Sequence, residues 1–296
     1  MFGYLELLRP KNCLMAAFAV LIGSFLYLKL DLLLVWTPVA FAVLAAFLIT
    51  GAGNAINDYF DIEADKENRP KRPIPSGRVS RKGALAFSIT LFVLGISLAA
   101  FTMVLAFAIA VVNSLLLVVY SWTLQHKTFF GNFTVAYLTG STFLFGGAAV
   151  GNIPLALLFG LLAGLVTFSR EIVKDLEDIE GDRKTFEKKQ SFVKKAVLER
   201  FTMTKEGISL KYKEGTGLLT SAISLILAVA LSPFPYLLGL VNPSYFIFVI
   251  PADLAFLACV VKSRGAKKPE QFGRLSRLIK YGYFLGLLAF IVGIVI

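Results

Sequence analysis

The sequence predicts an all-α integral membrane protein with nine transmembrane helices, because its composition, its apolar runs and its charge placement agree. Of 296 residues, 57% are hydrophobic and 17% are charged, and the mean hydropathy is +0.74. In a soluble domain, about a quarter of the residues are charged. A chain of this composition is expected to fold within a lipid bilayer.

Nine apolar segments are long enough to cross the hydrocarbon core, which takes about 17 to 25 helical residues. The first follows Arg9 and Lys11 and has no small-residue cleavage site, so it is interpreted as a span and not as a signal peptide. The predicted spans are residues 12–29, 34–56, 84–101, 103–122, 132–151, 154–173, 216–234, 243–261 and 278–296.

The placement of Lys and Arg supports this number of spans. With a cytoplasmic N-terminus, every Lys and Arg except Lys29 falls in a segment predicted to be inside, in agreement with the positive-inside rule. Residues 1–296 are therefore predicted to form a single multi-pass domain of the cell membrane. The net charge of +11 indicates topology and contact with anionic lipids, not nucleic-acid binding. No feature requires an obligate protein partner.

The reactive side chains exclude several kinds of catalysis. His126 is the only histidine, and Cys13 and Cys259 lie in different apolar segments. These residues offer neither metal-ligand spacing nor a Ser-His or Cys-His pair. Chemistry in this chain must therefore depend on carboxylates, amides, Tyr, Lys and Arg.

Two acidic motifs with the same spacing end the second and sixth predicted spans, both on the predicted cytoplasmic face. Residues 58–65 read DYFDIEAD and residues 175–182 read DLEDIEGD, at a constant offset of 117 residues. On a helix that advances 100° per residue, four polar residues of each motif share an arc of about 60°, while Glu63 and Glu180 point elsewhere. The arcs contain Asn54, Asp58, Asp61 and Asp65 in the first motif and Glu171, Asp175, Asp178 and Asp182 in the second.

Stacked carboxylates beside a membrane repel one another, so they require cations between them or raised pKa values. Mg²⁺ prefers oxygen ligands and characteristically takes one or two carboxylates together with substrate phosphate oxygens. The motifs therefore predict a site for Mg²⁺ and diphosphate, and a solvated acidic helix end is the alternative. The predicted magnesium ligands are Asn54, Asn57, Asp58, Asp61, Asp65, Asp175, Asp178 and Asp182, and Asp61, Asp65, Asp178 and Asp182 are also predicted to be catalytic.

Basic residues near both motifs fit a phosphate ligand, although the positive-inside bias explains many of them equally well. The motifs are predicted to lie in cytoplasmic-side loops at 57–83 and 174–215. Arg170 and Lys174 precede the second motif at the membrane end of a helix, where an unpaired charge is costly. The predicted phosphate-binding residues are Arg69, Lys71, Arg72, Arg78, Arg170 and Lys174.

A charged site at the mouth of apolar helices suits a substrate with a charged head and a long hydrocarbon tail. When an allylic diphosphate ionises, metal ions stabilise the departing diphosphate and an apolar pocket shields the allylic cation from water. The predicted reaction is prenyl transfer.

These motifs resemble those of the UbiA superfamily of intramembrane prenyltransferases. NDYFDIEAD matches the first family motif, Asn-Asp-x-x-Asp-x-x-x-Asp, and DIEGD matches the second, Asp-x-x-x-Asp. The resemblance implies helices around a central cavity open sideways to lipid, with both motifs holding Mg²⁺ and diphosphate. It also implies catalytic roles for Tyr120 and Lys127, which here are separated by more residues than is usual in the family.

Within the family, NRPKRPIPSGRVS and REIVKDLEDIEGD are similar to members that transfer geranylgeranyl from its diphosphate to the hydroxyl of geranylgeranylglyceryl phosphate in archaeal ether-lipid synthesis. The implied partners are an isoprenyl diphosphate donor, a lipid acceptor and membrane lipids. Related strings occur in members that use aromatic acceptors of the quinone, haem or chlorophyll type, which are the alternative.

Two further features bear on function. Residues 185–215 exceed the usual family length, and their apolar residues among lysines predict either an amphipathic lid or a solvated loop. The alternative of another class is a membrane transporter, in which ionisable residues lie near mid-membrane on broken helices. Nearly every acid here lies at the inner end of a span, and Asp253, beside Pro251 in the eighth span, is the exception that favours a transporter.

Overall fold

The structure, a computed structural model, describes residues 2–28, 36–126, 128–190 and 214–295. Within these ranges every regular element is a helix, and two short 3₁₀ turns, Leu124–His126 and Pro243–Tyr245, lie between helices. The helices are α1 (Phe2–Leu8), α2 (Pro10–Leu28), α3 (Trp36–Phe60), α4 (Ile62–Asn68), α5 (Arg81–Ala99), α6 (Val104–Trp122), α7 (Thr128–Ala149), α8 (Pro154–Gln190), α9 (Glu214–Leu231), α10 (Phe234–Leu237), α11 (Phe246–Ser263) and α12 (Pro269–Val295).

The described helices confirm the predicted fold class. Seven of them are long and apolar enough to cross a membrane, and they overlap all the predicted spans except the first and the fifth. The first predicted span lies on the shorter apolar stretch Pro10–Phe25, and the fifth lies on α7, which has 22 residues. Membrane-crossing length and hydropathy are thus established for seven of the nine predicted spans.

Three helices extend beyond the predicted spans. Helix α8 continues to Gln190, so residues 174–190 are helical and not part of a loop. Helix α12 begins at Pro269, nine residues before the predicted span, because a charged first turn can be helical outside the hydrocarbon. Helix α3 ends at Phe60, and Asp61 forms a bend before α4.

The described chain forms two compact units. Unit 1 comprises Met1–His126 and Tyr137–Leu161, and unit 2 comprises Lys127–Ala136 and Leu162–Ile296. The first acidic motif belongs to unit 1 and the second to unit 2.

Small residues bring the helices of unit 1 close together. Helix α3 packs against α2, α5 and α6 through a core rich in alanine. The hydroxyl of Ser88 in α5 donates to the Ala52 carbonyl of α3 at 2.9 Å. Since lipid tails are as apolar as the side chains, helices in a bilayer associate through such close packing and interhelical hydrogen bonds.

The turn between α4 and α5 folds back onto the helices. Ile74 and Val79 are buried together with Leu7 of α1 and Ile62 of α4. Ser80 caps α5 by accepting a hydrogen bond from the Gly83 amide at 3.0 Å. The basic loop after the first motif is therefore anchored at both ends.

Unit 2 is held by hydroxyl groups between its helices. Ser169 of α8 and Ser221 of α9 lie 2.7 Å apart at their hydroxyl oxygens. Ser224 of α9 donates to the Leu165 carbonyl at 2.8 Å. These contacts fix α9 against the part of α8 that precedes the second motif.

Gly146→Ala should destabilise the protein, because α7 lies against α2 at this glycine. A Cβ there would overlap the Val20 carbonyl and meet the Ser24 amide nitrogen, and Ser24 donates to the Gly146 carbonyl at 3.0 Å. Overpacking of this kind costs about 1–3 kcal/mol. Gly286→Ala, where a Cβ meets nothing within 4 Å, is the matched control. Thermal unfolding in detergent should show a lower midpoint for Gly146→Ala only, and equal midpoints would contradict the packing.

Candidate active site

The first acidic motif lies at the junction of α3 and α4. Asp58 is in the last turn of α3, with 3% of its surface exposed, and Asp65 is in α4, with 6% exposed. The Asp61 amide donates to the Asn57 carbonyl at 3.0 Å, and the Asp65 amide donates to the Asp61 carbonyl at 2.8 Å. Hydrogen bonds between residues four apart, as in an α-helix, therefore continue through the bend at Asp61.

Two arginines compensate the buried carboxylates of this motif. Nη1 of Arg72 lies 3.1 Å from Oδ1 of Asp58 and 2.5 Å from Oδ2 of Asp65. Arg9 also pairs with Asp58. Asp58 and Asp65 thus face one guanidinium, and their charges are already balanced by the protein.

Arg9 has an unusual backbone. It separates α1 from α2 with φ of 51°, and no other described non-glycine residue has a positive φ. The left-handed region costs a residue with a Cβ about 1–2 kcal/mol. This conformation places the junction of α1 and α2 beside α3, where the Arg9 side chain pairs with Asp58.

Asp61 has a neutral partner. Nε2 of Gln125, in the 3₁₀ turn after α6, donates to Oδ1 of Asp61 at 2.7 Å, and Nδ2 of Asn57 donates to Oε1 of Gln125 at 2.7 Å. Among the described residues, Asp61 forms no ion pair. The Gln125 amide holds the Asp61 carboxylate without neutralising its charge.

Asn54, the fourth member of the predicted arc, bonds to the junction of α1 and α2. Its Nδ2 donates to the Leu8 carbonyl at 2.9 Å and approaches Sγ of Cys13 at 4.0 Å. The contacts of this amide tie α3 to the junction of α1 and α2.

The second motif lies on α8. Nδ2 of the buried Asn132, in α7, donates to Oδ2 of Asp175 at 3.0 Å. Asp178 is exposed. Asp182 is part of α8, beyond the described side chains.

Glu171, in the first position of the second arc, pairs with basic neighbours. Nη1 of Arg170 lies 2.8 Å from Oε1 of Glu171, and Nζ of Lys174 lies 4.0 Å from Oε2. These two predicted phosphate-binding residues therefore share one carboxylate, and both are at least one-third exposed.

The basic residues after the first motif differ in environment. Arg69 and Lys71 are exposed. Arg78 pairs with Glu6 at 2.6 Å and donates to the Lys71 carbonyl at 2.5 Å, and the Glu6 carboxylate raises the pKa of Arg78 above its ordinary value. Of the predicted phosphate-binding residues in this loop, Arg72 is the one seen to contact the motif.

Other predicted features are partly described. Tyr120 is half-buried near the end of α6. Lys127 and residues 191–213 lie outside the described ranges, so the predicted lysine and most of the predicted lid stay predictions. Asp253, the residue that favours a transporter, accepts a hydrogen bond from the Ser232 hydroxyl at 2.6 Å. Its carboxylate therefore has a partner within unit 2.

The oxygen donors of both motifs match the preference of Mg²⁺. In the described ranges, no group of three or more His, Cys, Asp or Glu residues is gathered as a metal site. Mg²⁺ does not require such a group, because it is usually held by one or two carboxylates with water and substrate phosphates. Carboxylates held by amides, such as Asp61 and Asp175, therefore fit the ion.

Sequence reasoning missed three residues. Arg9 was counted only as a topology signal, Gln125 only as a spacer before Lys127, and Asn132 only as the start of a span. A polar residue with an amide side chain at the edge of an apolar helix is the signal that identifies Gln125 and Asn132. Nothing in the sequence links Arg9 to Asp58.

The chain matches the profile of the UbiA prenyltransferase family over residues 16–280. It is 39% identical over 292 residues to a protein of Methanococcus aeolicus named digeranylgeranylglyceryl phosphate synthase, covering 98% of this chain and 96% of the relative. The protein of the same name from Methanococcoides burtonii is 43% identical over 300 residues, covering 98% and 99%.

Solved structures have the same fold. A structure of digeranylgeranylglyceryl phosphate synthase in membranes superposes with a TM-score of 0.82 at 34% identity, covering 99% of this chain and 98% of that one. A UbiA homologue from Archaeoglobus fulgidus bound to GPP and Mg²⁺ superposes with a TM-score of 0.61 at 16% identity, covering 96% and 99%.

Arg72→Met should destabilise the protein, because it leaves Asp65 without its cation and Asp58 with Arg9 alone. Removing one partner of a buried ion pair costs roughly 3–5 kcal/mol, and we expect about 2 kcal/mol here since Arg9 remains. Arg69→Met, in the same loop but exposed, should leave the unfolding midpoint unchanged. An Arg72→Met midpoint equal to wild type would show that the pairs do not support the fold.

Proposed function

The chain belongs to the UbiA prenyltransferase family, and we propose that it transfers a geranylgeranyl group from geranylgeranyl diphosphate to the hydroxyl of geranylgeranylglyceryl phosphate, with release of diphosphate. This reaction belongs to archaeal ether-lipid synthesis. The observation that carries the proposal is the similarity, at about 40% identity over 98% of the chain, to proteins named for this activity.

The acidic residues divide into two groups under this proposal. Asp61, Asp175 and Asp178 are the principal Mg²⁺ ligands, because none of them is compensated by an arginine or lysine among the described residues. Asp58 and Asp65 are paired with arginine, so a cation would have to displace Arg72 to reach them. The other proposed ligands are Asn54, Asn57 and Asp182.

Bound Mg²⁺ would neutralise the departing diphosphate, as metal ions do for phosphoryl oxygens. The chain itself supplies charge and orientation. Gln125 holds one oxygen of Asp61 in place, and the nearby arginine and lysine residues supply cations for phosphate oxygens. The proposed phosphate-binding residues are Arg69, Lys71, Arg72, Arg78, Arg170 and Lys174, and Tyr120 and Lys127 are proposed to have catalytic roles.

The basic residues of the loop after the first motif support a phosphate-bearing acceptor. A phosphate-bearing acceptor requires cations beyond those that bind the diphosphate, and the exposed Arg69 and Lys71 are available for it. An aromatic acceptor would not need them. The Lys and Arg distribution further supports a cytoplasmic position for the N-terminus and both motifs.

Asp61→Asn and Asp178→Asn should each lower Mg²⁺-dependent diphosphate release by about a hundredfold or more, the loss typical of removing one electrostatic contact to a transition state. Both substitutions keep the shape of the side chain. The matched control is Glu63→Gln, because Glu63 belongs to the same motif but is exposed and paired with Lys66. Near-normal release by both aspartate variants would refute the proposed site.

The acceptor can be identified with purified protein, Mg²⁺, geranylgeranyl diphosphate and a panel of glycerophosphate and aromatic acceptors. Mass spectrometry should detect a second geranylgeranyl chain on geranylgeranylglyceryl phosphate. Products formed only with an aromatic acceptor would overturn the proposed acceptor and leave prenyl transfer intact. Arg69→Ala should raise KM for the glycerophosphate acceptor more than KM for the donor, since Arg69 is assigned to the acceptor phosphate.

A further inference from the structure

Two amide side chains from one short stretch of sequence each hold a carboxylate of an acidic motif. Gln125 and Asn132 are seven residues apart. Within unit 1, Gln125 donates to Asp61 at 2.7 Å, and within unit 2, Asn132 donates to Asp175 at 3.0 Å. Neither amide belongs to the acidic motifs.

The orientation of the Gln125 amide is fixed by both of its ends. Its carbonyl oxygen accepts from Asn57 and its nitrogen donates to Asp61. Reversing the amide would place two donors together and two acceptors together. The amide therefore joins two residues of the first motif that lie one helical turn apart.

Asn132 is similarly constrained. It lies in the second turn of α7 with 8% of its surface exposed, and its nitrogen faces Asp175. A buried amide that lost this partner would carry the desolvation penalty of an unsatisfied polar group. The hydrogen bond to Asp175 is therefore part of the local packing of α7 on α8.

An amide and an arginine have different effects on a carboxylate. Arg72 neutralises Asp58 and Asp65, which stabilises the fold but competes with a metal ion. An amide N–H orients one carboxylate oxygen and leaves the negative charge and the second oxygen available. Neighbours that hold metal-binding carboxylates in this way typically contribute 10- to 100-fold to metal affinity or activity.

We infer that Gln125 and Asn132 are positioning residues that hold Asp61 and Asp175 ready for a divalent cation. This inference rests on the proposed function, since it takes the two carboxylates to be magnesium ligands. It assigns a role to the connection between α6 and α7 that is distinct from the roles proposed for Tyr120 and Lys127.

The test uses full-length protein in detergent and the variants Gln125→Met and Asn132→Leu, which keep side-chain size and remove the amide. Mn²⁺, the probe for the Mg²⁺ site, is titrated in the presence of inorganic diphosphate and followed by electron paramagnetic resonance. Each variant should bind Mn²⁺ about tenfold more weakly, and KM for Mg²⁺ should rise more than kcat falls. Thr123→Val is the control, because the Thr123 hydroxyl donates to the Val119 carbonyl of its own helix, at 3.2 Å.

Gln125→Lys distinguishes the effect of the Asp61 carboxylate's orientation from the effect of its charge on metal binding. The new ammonium would reach Asp61 and neutralise it, so Mn²⁺ binding should fall further than in Gln125→Met while the unfolding midpoint is kept. The inference would be overturned if the variants bind Mn²⁺ like wild type, or if they lose kcat at unchanged Mn²⁺ affinity. It would also be overturned if Gln125→Met unfolds. If wild-type protein binds Mn²⁺ through these residues but releases no diphosphate from geranylgeranyl diphosphate, the proposed function fails and the positioning role stands.

Discussion

A carboxylate at the end of an apolar helix needs a partner, because hydrocarbon cannot solvate its charge, and Arg72 supplies that partner for the two buried carboxylates of the first motif. Its guanidinium reaches Asp58 and Asp65 together, which is possible only because the loop after α4 folds back over the helix ends. Burial of Ile74 and Val79 with Leu7 holds the loop in that position. Arg9, at the junction of α1 and α2, provides a second cation for Asp58. Much of unit 1 near the site is thus organised around one electrostatic requirement.

The protein satisfies its acidic residues in two chemically different ways. Arginines compensate the buried Asp58 and Asp65, whereas Asp61 and Asp175 accept hydrogen bonds from amides, which do not neutralise a carboxylate. An arginine–carboxylate ion pair stabilises the helix end, whereas an amide contact leaves the carboxylate able to bind a cation. The repeated motif therefore does not mean that its members are equivalent. Similar spacing in the sequence produces some carboxylates that support the fold and others suited to chemistry.

The fold class was predictable because hydropathy and charge are local properties of the chain. A run of apolar residues must be helical in lipid, where each backbone group has to be bonded within its own segment, and Lys and Arg mark the inner ends. The same local character explains the errors at α8 and α12. Their polar turns extend beyond the hydrocarbon, where hydropathy no longer reports helix formation and a charged sequence can be helix or loop. The motif spacing likewise indicated the family before any fold was known.

The sequence by itself determined the positions of the spans, the paired acidic motifs and the oxygen-rich chemistry that they imply, because these depend on residue type and helical period alone. Only the tertiary structure decided which carboxylate is neutralised and which is held by an amide. Asp58 meets Arg9 across 49 residues, and Asp61 meets Gln125 across 64. Asp175 meets Asn132 across 43. Such contacts depend on how helices pack and where loops return, and no local pattern encodes them.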